Sequence, residues 1–174
     1  MAAHTGDFGG LREALGRLLG VPVEVFAQPP RQYALHEIPN LAGPAGESAV
    51  AVHVQASGVM QGHLLLLLPP RSARSIGDLM LGPGAPSELV LDACRELANI
   101  IGSRYLSWVA DEAGGRATPT TPRSTVDMAG AVISAIVQAA GVDAPVQAIE
   151  MKMQTEEETI HATLLVLQDQ GAGG

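Results

Sequence analysis

Ser87-Glu88-Leu89-Val90-Leu91-Asp92-Ala93-Cys94-Arg95-Glu96-Leu97-Ala98-Asn99-Ile100-Ile101-Gly102-Ser103-Arg104-Tyr105-Leu106-Ser107-Trp108-Val109-Ala110 is the longest helical pattern in the chain. At about 100° of rotation per residue, Val90, Ala93, Cys94, Leu97, Ala98, Ile101 and Val109 collect on one side. Asp92, Glu96, Asn99 and Ser103 fall within a narrow arc on the other. An amphipathic helix carries a polar face whatever its role, and a solvated stripe accounts for most such arcs. Asn99 is the odd member, because Asn is a mediocre helix former and adds no charge for solubility. A neutral amide beside a carboxylate can orient one water while the carboxylate holds a cationic partner.

The pattern on either side of this helix is of strands and shorter helices. Upstream, Leu11, Ala14, Leu15, Leu18 and Leu19 form a helical stripe closed by Gly20. Val21 to Phe26 then alternates as a strand does, and Gln32 to Ile38 is a weaker strand. Pro39 to Gly46 reads as a loop. Val50, Val52 and Val54 alternate with Ala51 and His53, and Ala56-Ser57-Gly58 turns the chain into Met60 to Leu68. This predicts an antiparallel hairpin whose second strand is deeply buried. Ser72 to Leu81 predicts a short helix ended by Gly82-Pro83-Gly84.

Downstream, Gly114-Gly115 through Pro119 and Pro122 reads as an irregular connection. Ser124 caps a predicted helix from Thr125 to Ala140, with Asp127 in the first turn where a carboxylate suits the helix dipole. Val146 to Met153 and Thr159 to Leu167 pair around the acidic turn Glu156-Glu157-Glu158. The first and the late helix leave in the same way, through Gly20-Val21-Pro22-Val23 and Gly141-Val142-Asp143-Ala144-Pro145-Val146. Helix–Gly–strand connections are common, so this echo is compatible with either chance or a decayed duplication.

Composition narrows the function. The 174 residues suit one domain with a single sizeable core, and apolar residues at 47% against 16% charged predict a largely folded chain. Aromatics at 3% leave the core to Leu, Val, Ile and Ala. The net charge of −8, with nine Arg and one Lys, argues against nucleic acid as a partner, since backbone phosphates require a basic footprint. The N-terminus lacks the basic and apolar regions of a secretory signal, and five consecutive leucines are too few to cross a bilayer. The default is a soluble cytoplasmic protein with no membrane partner.

The remaining reactive side chains offer little. Cys94 is the only cysteine, which excludes an internal disulfide and a multi-cysteine metal site, and it falls on the apolar side of its helix. His36, His53, His63 and His161 sit in strand-like segments without metal-ligand spacing and read as strand-face or core-edge residues. Met151 and Met153 flank Lys152 in ordinary strand alternation. Neither a G-x-S-x-G elbow nor a phosphate loop occurs, so a metabolic enzyme has no supporting motif.

The order Asp92-x-x-x-Glu96-x-x-Asn99, then Ile100 and Tyr105-Leu106, resembles the CheC/CheX/FliY family of chemotaxis response-regulator phosphatases. In that family an acidic or Ser residue, a Glu and an Asn at these spacings mark the phosphatase helix, with a Pro somewhat over twenty residues further on. Here twenty-two residues separate Asn99 from Pro122. The stretch Glu96 to Leu106 resembles the second of the two such helices in a CheC chain. The first helix departs from the pattern: the first twenty residues contain no Asn, and their only Glu, Glu13, lies too late in the helix. Gly9-Gly10 is what remains of the family's Gly-rich stretch. The resemblance therefore implies that one of two pseudo-symmetric sites is lost, which favours the duplication reading of the echo.

The resemblance implies an α+β fold over residues 1–174: a mostly antiparallel sheet covered by the Leu11–Leu19, Ser87–Ala110 and Thr125–Ala140 helices. The implied activity is a hydrolase reaction on the aspartyl phosphate of a CheY-like receiver in two-component signalling. Asn99 would hold the attacking water, Glu96 would pair with the receiver's active-site Lys, and Asp92 and Ser103 would contribute to docking. The receiver would supply the Mg²⁺, so no cofactor is expected on this chain. The alternative is a non-catalytic adaptor that binds a receiver domain, a flagellar switch component or a CheD-like partner.

Overall fold

Leu64 to Leu68 lies in the middle of the sheet, and its lack of polar alternation has a simple cause. Successive side chains of a strand point to opposite faces, and here both faces are covered. Leu64, Leu66 and Leu68 enter one core, while Leu65 and Leu67 enter a second, and all five are at most 2% exposed. The computed structural model describes residues 10–34, 37–38, 49–119 and 146–168, with the single positions 133 and 138.

The elements in chain order are α1 (Leu11–Leu19), β1 (Glu24–Ala27), β2 (Arg31–Tyr33), β3 (Val50–Gly58), β4 (Gly62–Leu68), α2 (Pro70–Leu81), α3 (Ser87–Ala113), β5 (Ala117–Pro119), β6 (Val146–Gln154) and β7 (Thr159–Gln168). The seven strands form one sheet in the order β1-β6-β7-β4-β3-β5, with β2 also on β6, and every pairing is antiparallel. Registers such as Leu66↔Val52 and Leu66↔Leu164 stack apolar side chains across three strands. This is the expected α+β class.

One face carries α1, α2 and α3 on a core of Leu11, Leu15, Ile76, Leu97, Ile101 and Leu106, joined by the even-numbered leucines of β4. Beside the expected α1 and α3, α2 also packs on this face. Most of the late helix lies outside the described residues, as do Pro122 and the 39–46 loop. Its described members Ile133 and Gln138 are both helical, and Ile133 is buried with Leu65, Leu67, Val146, Ala148 and Leu165 on the opposite face. Ile133 and the buried residues of α1 therefore lie in cores on opposite faces of the sheet, and β1 and β6, which follow the two halves of the sequence echo, pair directly.

Several boundaries move for identifiable reasons. Ala56-Ser57-Gly58 is not a turn but the end of β3, because it pairs with Ala117–Pro119. That pairing also gives the expected irregular connection a short strand, β5. The approach is tight: a Cβ on Gly58, at φ +106°, would fall 2.2 Å from the Arg116 carbonyl oxygen. The Gln32 to Ile38 strand shrinks to Arg31–Tyr33, and Ile38 is helical. Helix α2 begins at Pro70, where a residue without an N–H is tolerated in the first turn.

Candidate functional site

Helix α3 is continuous from Ser87 to Ala113, three residues beyond the expected Ala110, and ends at Gly114 in the left-handed conformation. Its inner face is fixed in three ways. Leu97, Ile101 and Leu106 are fully buried. Gly77 of α2 lets Val90 approach so closely that an added Cβ would lie 2.6 Å from Val90 Cγ2. Cys94 packs under α2, and burial pushes its thiol up to about 12, which keeps it protonated and unreactive. Tyr105 is likewise buried, and desolvation raises its phenol to about 12. A helix held this firmly presents its outer face at defined positions.

On that outer face Asp92, Glu96, Asn99 and Ser103 form the stripe expected from the spacing, running about 16 Å along the axis. Their environments differ. Asp92 is exposed, and its Oδ1 accepts a 2.8 Å hydrogen bond from Arg95 Nη1 one turn away, so its charge is already partnered. Glu96 is exposed and makes no hydrogen bond or ion pair among the described residues. Asn99 and Ser103 are half-buried rather than fully exposed.

The reason is the packing of α1 beside α3. Together they enclose a groove of about 590 Å³ lined by Ala14, Arg17 and Leu18 from α1 and by Asn99, Ile100, Ser103, Arg104 and Ser107 from α3. The structure thus brings Asn99 and Ser103 together in a groove and leaves Glu96 and Asp92 on the surface before it. Ser107 continues the stripe one turn beyond Ser103 and could have been found by the same periodicity. The contribution of α1 could not, because Arg17 is far from Asn99 in sequence. Helix α1 carries no Glu/Asn pair at this groove.

The other candidate side chains lie elsewhere. His53 and His63 meet on the second face of the sheet, with Nε2 and Nδ1 2.8 Å apart, and burial together with the neighbouring ring holds His53 below its ordinary value. His161 is exposed on β7, its backbone N–H donating to Ser72 Oγ, and His36 lies outside the described residues. Among the described residues no group of three or more His, Cys, Asp or Glu is placed to hold a metal ion. No described helix is long and apolar enough to cross a membrane.

No protein-family model matches the chain. Solved structures do. Thermotoga maritima FliY aligns with a TM-score of 0.72 at 16% identity, over 94% of this chain and 85% of that one. The fold is that of the CheC/CheX/FliY proteins. A chain of the FliG–FliM complex from H. pylori aligns at 0.70 and 12% identity, covering 95% of this chain and 88% of its own. A chain of the CheX–CheY–BeF3–Mg complex from Borrelia burgdorferi aligns at 0.58 and 14% identity, covering 91% and 92%. Within this CheC-like fold, the short α1 and the long α3 line one groove, and only α3 carries the Glu and the Asn.

Proposed function

We propose that this protein is a phosphatase that hydrolyses the aspartyl phosphate of a CheY-like chemotaxis response regulator. The observation that carries the reading is the state of two side chains on one long helix: Glu96 at the surface with no partner among the described residues, and Asn99 half-buried in the α1–α3 groove. The Borrelia burgdorferi neighbour, a CheX–CheY complex with BeF3 and Mg, supports a receiver as the partner.

Hydrolysis of an acyl phosphate requires water to attack phosphorus in line with the departing carboxylate, and positioning supplies much of the rate. The Asn99 amide has a donor and an acceptor, so it can hold the water in one orientation without taking its proton. As the new O–P bond forms, the bond from phosphorus to the receiver's aspartate breaks, and the water's proton leaves with the phosphate product. Glu96, one turn earlier, pairs with the receiver's active-site lysine and fixes the register of the two proteins. Asp92, already tied to Arg95, and Ser103 contribute to the rim of the contact. A Mg²⁺ held by the receiver would neutralise phosphoryl charge, and this chain contributes alignment.

A second reading is a non-catalytic adaptor for a receiver, a switch component or a CheD-like protein, favoured by the FliG–FliM neighbour and by the absence of a Glu/Asn pair on α1. Phosphate release from phosphorylated receiver domains, with and without this protein, separates the two. Accelerated release supports the phosphatase; tight binding to a receiver with no acceleration establishes the adaptor.

A further inference from the structure

Three carboxylates follow one another along the outer side of α3. Glu88, Asp92 and Glu96 are each four residues from the next, and all three are exposed. Side chains at that spacing share a face, one step being about 6 Å along the axis. A cationic group of a partner that meets this face has a choice of acceptors, and the choice fixes where the rest of the partner lies relative to Asn99. Glu96 precedes Asn99 by about 4.5 Å of helix and Asp92 by about 10 Å. Only one of these registers can be productive, because a misplacement of about 1 Å already costs on the order of 10²-fold.

Arg95 treats its two acidic neighbours unequally. It is the only basic residue between Ser87 and Ser103. Its Nη1 donates a 2.8 Å hydrogen bond to Asp92 Oδ1. Glu96, next in sequence, projects about 100° away around the helix and makes no ion pair with it. This arginine is also placed more firmly than those paired on α1. Its side chain is 38% exposed, against 58% for Arg12 and 72% for Arg17, and its Nε is covered from solvent. A guanidinium whose stem is already packed loses little further freedom on pairing.

We infer that Arg95 is a positioning residue that sets the register of a receiver on α3: by holding Asp92 it withdraws the competing acceptor and leaves Glu96 to the lysine. The inference deepens the phosphatase reading and rests on it for the identity of the cation. Glu88 competes less, since it stands about 12 Å from Glu96, in the first turn, where the positive end of the helix dipole already favours its charge. The Asp92–Arg95 pair thus works by excluding a wrong complex rather than by adding a contact to the right one.

The test maps the contact directly. A carbodiimide joins a lysine amine to a touching carboxylate as an amide, so the full chain is cross-linked to a receiver domain carrying beryllofluoride and the product is mapped by mass spectrometry. Glu96 should dominate in wild type. In Arg95→Gln, and in Arg95→Met, which keeps the packed stem, the share at Asp92 should rise by about threefold or more. With phosphorylated receiver the maximal rate should fall by about threefold and KM should fall with it, because the shifted complex binds without reacting. Adding Asp92→Asn to Arg95→Gln should recover the maximal rate, which a loss of helix structure would not allow. An unchanged cross-link pattern, weaker receiver binding by the Arg95 variants, or a loss of rate that Asp92→Asn does not recover overturns the positioning role. Redistribution of the cross-link without acceleration by wild type removes the phosphatase alone, and acceleration without redistribution removes the role of Arg95 alone. A wild-type protein that neither cross-links to nor dephosphorylates a receiver removes both.

Discussion

Helices α1 and α3 rest on the same core and line the same groove, but they treat their surface charges in opposite ways. On α1, Arg17 is paired with Glu13 at 2.6 Å and Arg12 with Glu24 of β1 at 2.8 Å. On α3, Asp92 is paired with Arg95, whereas Glu96 has no described partner and Asn99 faces the groove. Under the proposed function the comparison separates a face kept for a partner from one that satisfies itself. Side chains that satisfy one another serve solubility and add at most about 1 kcal/mol. A carboxylate and an amide with no partner among the described residues, on a helix of 27 residues anchored by fully buried Leu97 and Ile101, are available to another molecule.

The comparison is most severely tested by removing its anchor. Leu97→Ala should cost about 2–5 kcal/mol, since the side chain is fully buried beneath the Glu96–Asn99 turn. Denaturant unfolding measures the loss, and Leu15→Ala in α1 should fall in the same range because that residue is equally buried. A loss near zero in either would mean that the helix is not held as described.

Asn99→Ala should reduce the acceleration of receiver dephosphorylation by about 10²-fold or more while leaving docking largely intact, because the amide acts on the water in the chemical step. The decay of phosphorylated receiver at several protein concentrations, beside direct binding to a receiver with a stable phosphate mimic, checks this. Glu96→Ala should be smaller and different in kind: binding weakens by about threefold to tenfold and alignment is lost with it. Equal effects of the two substitutions on binding would collapse the division of labour along α3. Neither change should alter stability by more than about 1 kcal/mol, since Glu96 is exposed and Asn99 only half-buried.

The smallest effect belongs to the segment before α1. Scrambling Ala2 to Asp7 should leave the phosphatase rate nearly unchanged, because no Glu/Asn pair precedes α1 to align a water and hold a lysine. A large loss of rate in a variant of unaltered thermal stability would show that the first helix region has kept a catalytic part.

By itself the sequence determined the elements and the stripe. Period 3.6 in Ser87 to Ala110 and the five-leucine run at 64–68 are properties of neighbouring residues, set by backbone geometry, and both were legible without a fold. The spacing of Asp92, Glu96, Asn99 and Ser103 was legible for the same reason. Only the tertiary structure decided the rest. It split the leucine run between two cores, set α2 beside α1 and α3, and drew β5 out of a Gly-rich connection by pairing it with β3. It also set Arg17 across a groove from Asn99 while leaving Glu96 outside. These are contacts between residues far apart in the chain, fixed by the packing of apolar faces, and no local period records which distant face will be met.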